Sequence, residues 1–382
     1  MQSIYFKKQG VVLNDAAYCN PNRYNALDAA LAFLIFVVVF FLSDYAFSPI
    51  ISLFYLVTED YAFCSVLSLI LSQGLIFLIA FAFSRIKKVG LFSGGGIVCG
   101  YDAIPALYGV MAALGVFFLL ENAHYDFVND WTELLYLTDY QTYSELNSFN
   151  ADWSNPFFSL LYTFVLVPLL PAVCEEALFR GVIMNGLRQF GDLVALILSA
   201  VIFALMHGSF EQIVLQFAIG LIIGGAVIIT DNFFVGSAVH FCYNLGVSIL
   251  SAFPEIVNQT LPYYGYLYDA ITVVIAFVFI ILSVGYFGKI FLKNYEGKIK
   301  NSPKTARFFK YYLLKDKKVD ETEFKLNSYS TVTSDFYEKD NREEFFYNGD
   351  FYPFNKKSNR LLSVMLLTAA IILSVIKIIL SL

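Results

Sequence analysis

The stretch IVLQFAIGLIIGGAVIIT, residues 213–230, contains no charged side chain. A helix needs about 20 mostly apolar residues to cross the hydrocarbon core of a bilayer, so this stretch predicts a transmembrane helix. The whole chain of 382 residues has the same character, because 58% of its residues are hydrophobic and only 15% are charged. Soluble domains are about half apolar and a quarter charged. The composition therefore predicts an integral membrane protein, and the net charge of −6 argues against a nucleic-acid partner.

Nine apolar segments along the chain predict membrane crossings. They are residues 26–42, 62–83, 103–120, 156–188, 193–206, 213–230, 233–253, 270–288 and 361–382. A further apolar stretch, 48–57, is too short to span and is expected to lie in the membrane interface. The predicted fold class is an all-α, polytopic membrane helix bundle with about nine transmembrane helices.

Lysine and arginine placement predicts the orientation of these helices, since cytoplasmic loops carry an excess of both residues. Residues 289–360 hold 16 of the 25 Lys and Arg, whereas the predicted outer loops hold none. This asymmetry predicts a cytoplasmic N-terminus and an outer C-terminus. The polar segment 293–360 should then lie in the cytoplasm, either as a linker on anionic lipid or as a small docking domain.

Five regions follow from this topology. The first region, 1–155, contains spans one to three and an acidic outer loop at 121–155. Spans four to seven form a core at 156–255, span eight lies within 256–292, the polar tail is 293–360, and the last span is 361–382.

The fourth span contains the charged sequence EEALFR, residues 175–180. A charge at membrane depth costs about 2.5–3.5 kcal/mol on insertion scales, so this cluster indicates a functional site. Glu176 and Arg180 are one turn apart and can pair, which leaves Glu175 without that partner. A poorly solvated carboxylate without a cation holds a proton more readily, as a general base requires. Pro168 and Pro171 are expected to break or kink the helix beside it.

Histidines supply the second signal. His124 is interpreted as a surface residue, but His207 and His240 lie in apolar spans, and Asn244 follows His240 by one turn. A glutamate with a histidine can deprotonate water, and a histidine with an asparagine can donate to the oxyanion formed in amide hydrolysis. Glu175, His207 and His240 could instead bind zinc and leave a fourth position open. The residues leave both chemistries open.

The remaining intramembrane polar residues have simpler interpretations. Gln73 and Gln216 are predicted to form hydrogen bonds between helices, and Gly220 and Gly224 should allow close helix packing. Lys377, in the last span, can extend its amine to the interface.

Three motifs follow one another in consecutive predicted spans. They are EExxxR at Glu175, Glu176 and Arg180, FxxxH at Phe203 and His207, and HxxxN at His240 and Asn244. In this order and spacing they resemble the CPBP family of type II CAAX prenyl endopeptidases and bacteriocin-processing membrane proteins. The resemblance covers about residues 156–250.

This resemblance implies an all-helical intramembrane endopeptidase. It implies that Glu175 and His207 activate water and that His240 and Asn244 stabilise the oxyanion. Glu176 and Arg180 would then have supporting roles. It implies no required cofactor, although zinc remains an alternative. The implied partners are membrane lipid and a membrane-associated protein or peptide substrate. Most chains of this type are bacterial, which implies a multi-pass protein of the plasma membrane.

Two other functions remain as alternatives. Some members of the family are discussed as membrane immunity or sorting factors that act without known cleavage. Buried glutamate and histidine also form proton relays in transporters. A transporter usually has broken helices in two related halves, whereas the polar residues here form a single block.

Overall fold

The structure is a computed structural model that describes residues 3–6, 11–14, 24–87, 91, 103–136, 156–190, 192–208, 212–230, 232–252, 265–301 and 357–381. Apart from an antiparallel hairpin of β1 (Ser3–Phe6) and β2 (Val11–Asn14), these residues are almost entirely helical. The helices are α1 Ala26–Thr58, α2 Tyr61–Lys87, α3 Ala103–Tyr136, α4 156–187, α5 Asp192–Met206, α6 Ile213–Thr230, α7 Phe233–Ala252, α8 Gly265–Asn301 and α9 Lys357–Ser381.

Each of the nine predicted apolar segments lies almost wholly within one of these helices. In the described part of the chain, six helices are long and apolar enough to cross a membrane, and parts of α3, α5 and α7 form shorter apolar helices. The prediction of a polytopic, helical membrane protein is confirmed. The number of crossings and the orientation stay predictions.

Two helices extend beyond the predicted spans. The stretch 48–57, expected as a separate interfacial segment, continues α1 without a break. Residues 121–136, expected as part of the acidic outer loop, continue α3. The helices therefore run past the predicted spans, whereas the positions of 48–57 in the interface and of 121–155 outside the membrane stay predictions. Residues 137–155 and most of the predicted tail, 302–356, lie outside the described residues, as does the side chain of His124.

Helix α4 is continuous where a break or kink was expected. Two α-helical segments, Pro156–Leu161 and Val167–Glu176, each lead into a π-helical segment, Tyr162–Leu166 and Ala177–Met184. The helix continues past the prolines at 168 and 171, so the predicted break is wrong. The predicted kink stays a prediction. Short π-helical segments often occur at functional sites, and here one begins directly after the two glutamates.

Helix α4 packs in the interior of the bundle, against α1, α2, α5 and α7. Its 177–184 segment is buried throughout, and it shares one apolar core with α1, α2, α5 and α9. Helices α6 and α5 approach closely at the two glycines predicted to permit this. A methyl group at Gly220 would lie 3.2 Å from the Ala200 backbone, and one at Gly224 would lie 2.9 Å from Leu196. The fold thus surrounds the charged sequence of α4 with helices on several sides.

Candidate active site

Glu176 and Arg180 form an ion pair inside the bundle. Arg180 Nη1 donates to Glu176 Oε1 at 2.8 Å, and neither side chain has any exposed surface. Arg180 Nη2 also donates to the backbone oxygen of Gly220 at 3.3 Å, which ties α4 to α6. The pair is local in sequence, since one helical turn separates its members. Its burial comes from the neighbouring helices.

The same carboxylate oxygen of Glu176 holds His240 from α7. His240 Nδ1 lies 2.9 Å from Glu176 Oε1, and the imidazole is almost fully buried. Since Arg180 already donates to this oxygen, the carboxylate is acting as an acceptor and His240 Nδ1 carries the hydrogen. Glu176 therefore fixes the tautomer and the ring orientation of His240.

Glu175 lies on another side of α4, because successive helical residues point about 100° apart. Its Oε1 accepts a hydrogen bond of 2.8 Å from Gln73 Nε2 of α2. Its Oε2 lies 4.0 Å from His240 Nε2. One oxygen of this buried carboxylate is thus held by an amide, and the other faces the free edge of the imidazole.

Phe203 of α5 contacts three of the polar side chains. The Arg180 guanidinium lies over its ring, 4.4 Å from the centroid. The rings of His207 and His240 meet it edge-on at 5.1 and 5.7 Å. His207 Nδ1 also bonds the backbone oxygen of Phe203 at 2.9 Å. This ring therefore sets the spacing between the two histidines.

Five of the six site residues predicted from the sequence come together. Glu176, Arg180 and His240 form one hydrogen-bonded cluster, and Glu175 lies beside it with Oε2 4.0 Å from His240 Nε2. His207 joins the cluster through Phe203, whose ring centroid lies 5.1 Å from that of His207. Asn244 is half-buried, one turn beyond His240, and the described residues provide no hydrogen bond to its side chain. Within the described chain, the histidine that comes within 4.0 Å of Glu175 is His240.

The zinc alternative named Glu175, His207 and His240 as ligands. Among the described residues, no group of three or more His, Cys, Asp or Glu side chains is placed to hold a metal ion. Gln73 holds Glu175 Oε1 and Glu176 holds His240 Nδ1, which leaves Glu175 Oε2 and His240 Nε2, 4.0 Å apart, as donor atoms that no protein group holds. The zinc alternative stays a prediction.

Gln73 is the site residue that sequence reasoning did not place. It was predicted to form a hydrogen bond between helices, and it does so, but its partner is the candidate general base. The sequence signal that could have indicated this contact was the amide side chain of Gln73, which lies in an apolar span 102 residues before Glu175. Gln73 Oε1, Glu176 Oε2 and Arg180 Nε are buried without a partner among the described protein atoms. Glu175 Oε2 and His240 Nε2, 4.0 Å apart, are further polar atoms of the site that no hydrogen bond from the described protein engages.

Comparison with known proteins agrees with the motifs. Residues 156–246 match the family model described as Type II CAAX prenyl endopeptidase Rce1-like. The matched segment contains all three motifs and supports the assignment to the CPBP family that they predict. No curated protein and no solved structure matches the chain.

Proposed function

We propose that this protein is an intramembrane endopeptidase that hydrolyses a peptide bond of a membrane-associated protein or peptide, with Glu175 as the general base. The observation that carries the proposal is the arrangement of the Glu175 carboxylate. It is buried within the helix bundle, held by an amide at one oxygen, and faces an imidazole nitrogen 4.0 Å away with the other. The match of residues 156–246 to a peptidase family supports the same reaction.

The gap between Glu175 Oε2 and His240 Nε2 fits one water molecule. Hydrogen bonds of about 2.8 Å to both atoms would give an angle of about 90° at the water oxygen. A general base must reach its proton directly or through one water. In the proposed reaction, Glu175 Oε2 takes the proton as the water oxygen attacks the substrate carbonyl. The proton then passes to the leaving amine.

His207 is suited to orient this water. A backbone oxygen can only accept, so the bond to Phe203 requires the hydrogen on His207 Nδ1. In the neutral imidazole, Nε2 then carries a lone pair. His207 can therefore accept a hydrogen bond from the attacking water, and in this way assist Glu175.

His240 is suited to stabilise the oxyanion. Because Nδ1 carries the hydrogen that is bonded to Glu176, His240 can donate from Nε2 only as the imidazolium. In that form Nε2–H donates to the water, which donates its own hydrogens to Glu175 and His207, and Nε2–H then turns to the carbonyl oxygen as charge develops there. A preorganised donor in a water-poor site is an effective stabiliser of the charge that develops on a carbonyl oxygen. Asn244, one turn further along α7, is the proposed second donor.

The family description suggests a substrate class. Its printed name is that of an endopeptidase acting on prenylated CAAX sequences. We propose that the substrate is a peptide held at the membrane by a lipid or by a transmembrane segment. Two probes separate these forms: a peptide that ends in a prenylated cysteine followed by three residues, and an unlipidated transmembrane peptide.

The test uses the full chain reconstituted in lipid nanodiscs, with each probe in ¹⁸O-labelled water. We expect wild-type protein to cleave at least one probe and to place the label in the new carboxylate. Glu175→Gln keeps the acceptor oxygen but cannot take the proton, and we expect it to be inactive while remaining folded in the membrane. Full turnover by Glu175→Gln would refute the assignment of the base. Absence of cleavage by wild type across a broad peptide set would favour the non-catalytic immunity or sorting function.

A further inference from the structure

The hydrogen bond between Gln73 and Glu175 joins the matched segment to a helix outside it. Gln73 belongs to α2, whereas the family match covers only residues 156–246. We propose that Gln73 is a positioning residue, which holds Glu175 Oε1 so that Oε2 is the oxygen presented to the reacting water. This inference rests on the proposed function, because it specifies which oxygen of the general base reacts.

The direction of the bond is fixed by its chemistry. Gln73 Nε2 donates to Glu175 Oε1 at 2.8 Å. In the opposite orientation of the amide, two oxygen atoms would face each other at this distance. Both side chains are buried, with 7% of Gln73 and 5% of Glu175 exposed.

Packing alone does not explain a glutamine at this position. Gln73 Oε1 is buried and has no partner among the described residues. A buried acceptor without a partner is unfavourable by about 1–3 kcal/mol, and a leucine would fill the same space without this penalty. Hydrogen bonds to a charged group are stronger than neutral ones, about 1.5–3 kcal/mol. The bond to Glu175 is thus the interaction that offsets the burial of the amide.

The consequence for catalysis is a restriction on rotation of the carboxylate. The terminal torsion of a glutamate is broad and nearly two-fold, so an unrestrained carboxylate would exchange its oxygens and change its tilt. With Oε1 held by α2, Oε2 stays directed at His240 Nε2. A misplacement of about 1 Å in a reacting group can lower a rate by about 10²-fold. The amide therefore acts on turnover rather than on substrate binding.

The experiment compares Gln73→Leu, Gln73→Glu and a matched control in the nanodisc assay. We expect Gln73→Leu to lower kcat by about 10- to 100-fold with KM changed by less than about two-fold. Gln73→Glu should lower kcat further, because it places a second acceptor against Glu175. The control is Gln216→Leu, a half-buried glutamine of α6 whose side chain has no hydrogen bond within the described residues. It should retain wild-type kcat and KM.

The outcomes separate this inference from the proposed function. If Glu175→Gln is inactive but Gln73→Leu keeps wild-type kcat, the inference fails and the function stands. If Gln73→Leu alters KM as strongly as kcat and the protein unfolds at lower temperature, Gln73 is a packing residue and the inference also fails.

If wild type hydrolyses nothing, the proposed function fails and the hydrogen bond is still tested by thermal unfolding. Gln73→Leu, Glu175→Leu and the double variant form a cycle for this purpose. The double variant should unfold no lower than the less stable single variant. Additive losses would show that the two side chains do not interact, and would overturn the inference without reference to activity.

Discussion

Removing the buried cation is expected to destabilise the fold strongly. Arg180 has no exposed surface and contacts Glu176 at 2.8 Å, the Gly220 oxygen at 3.3 Å and the Phe203 ring centroid at 4.4 Å. Arg180→Met keeps most of the apolar stem but leaves the Glu176 carboxylate without its cation. Breaking a buried ion pair by removing one partner costs about 3–5 kcal/mol. At about 2–4 °C per kcal/mol, the apparent Tm should fall by on the order of 10 °C.

A thiol-reactive dye can follow this unfolding as an increase over the labelling of the half-buried Cys242, because Cys64 and Cys174 are buried free cysteines that become accessible when the bundle opens. Arg85→Met is the matched control. Arg85 is exposed over the Phe81 ring at 4.8 Å, and an exposed cation–π contact contributes only about 0.5–1 kcal/mol.

A double variant tests the reason for the loss. Glu176→Gln combined with Arg180→Met removes both charges and should recover part of the Tm lost in Arg180→Met alone. The reasoning is wrong if Arg180→Met has the same Tm as Arg85→Met. It is also wrong if the Tm of the double variant falls by the sum of the decreases in the two single variants.

Three further outcomes follow from the site and the topology. His240→Ala should lower turnover by about 10²–10³-fold, as removal of an oxyanion donor does elsewhere, and Asn244→Ala should lower it less; equal turnover in wild type and His240→Ala would exclude the donor role. Gly236→Ala should lower both Tm and turnover, since a methyl group there would lie 2.4 Å from Val227 Cγ2 and 3.4 Å from Glu176 Oε2. A Tm and a turnover equal to those of wild type would refute this close packing. A cysteine at Lys317 should resist an impermeant thiol reagent in intact cells, whereas one within 121–155 should react; labelling of both would contradict the orientation.

The sequence predicted the positions of the helices well, because the length of each apolar segment shows directly how many residues can lie within the membrane. It predicted the ends of α1 and α3 poorly. Residues 48–57, which are too short to span by themselves, and the acidic residues 121–136 both continue their helices. Neither a proline at 49 nor the acidic residues after 120 ended a helix.

Contacts within one helix could be predicted, and contacts between helices could not. The Glu176–Arg180 pair follows from a spacing of four residues. The bonds from His240 to Glu176 and from Gln73 to Glu175 join residues 64 and 102 positions apart. They depend on how each helix is rotated about its axis, which the length and composition of an apolar span do not specify.

The adjacent glutamates reach opposite edges of one imidazole, which is why we propose different roles for them. Glu176 holds His240 at Nδ1, and Glu175 faces Nε2 of the same ring. The motif alone suggested a base in Glu175 and a neutralised, supporting residue in Glu176. In the structure, Glu176 also sets the orientation of the ring whose Nε2 faces Glu175, where we propose that the water binds. A change at Glu176 therefore acts on the chemistry through His240, even when the ion pair with Arg180 is its more visible contact.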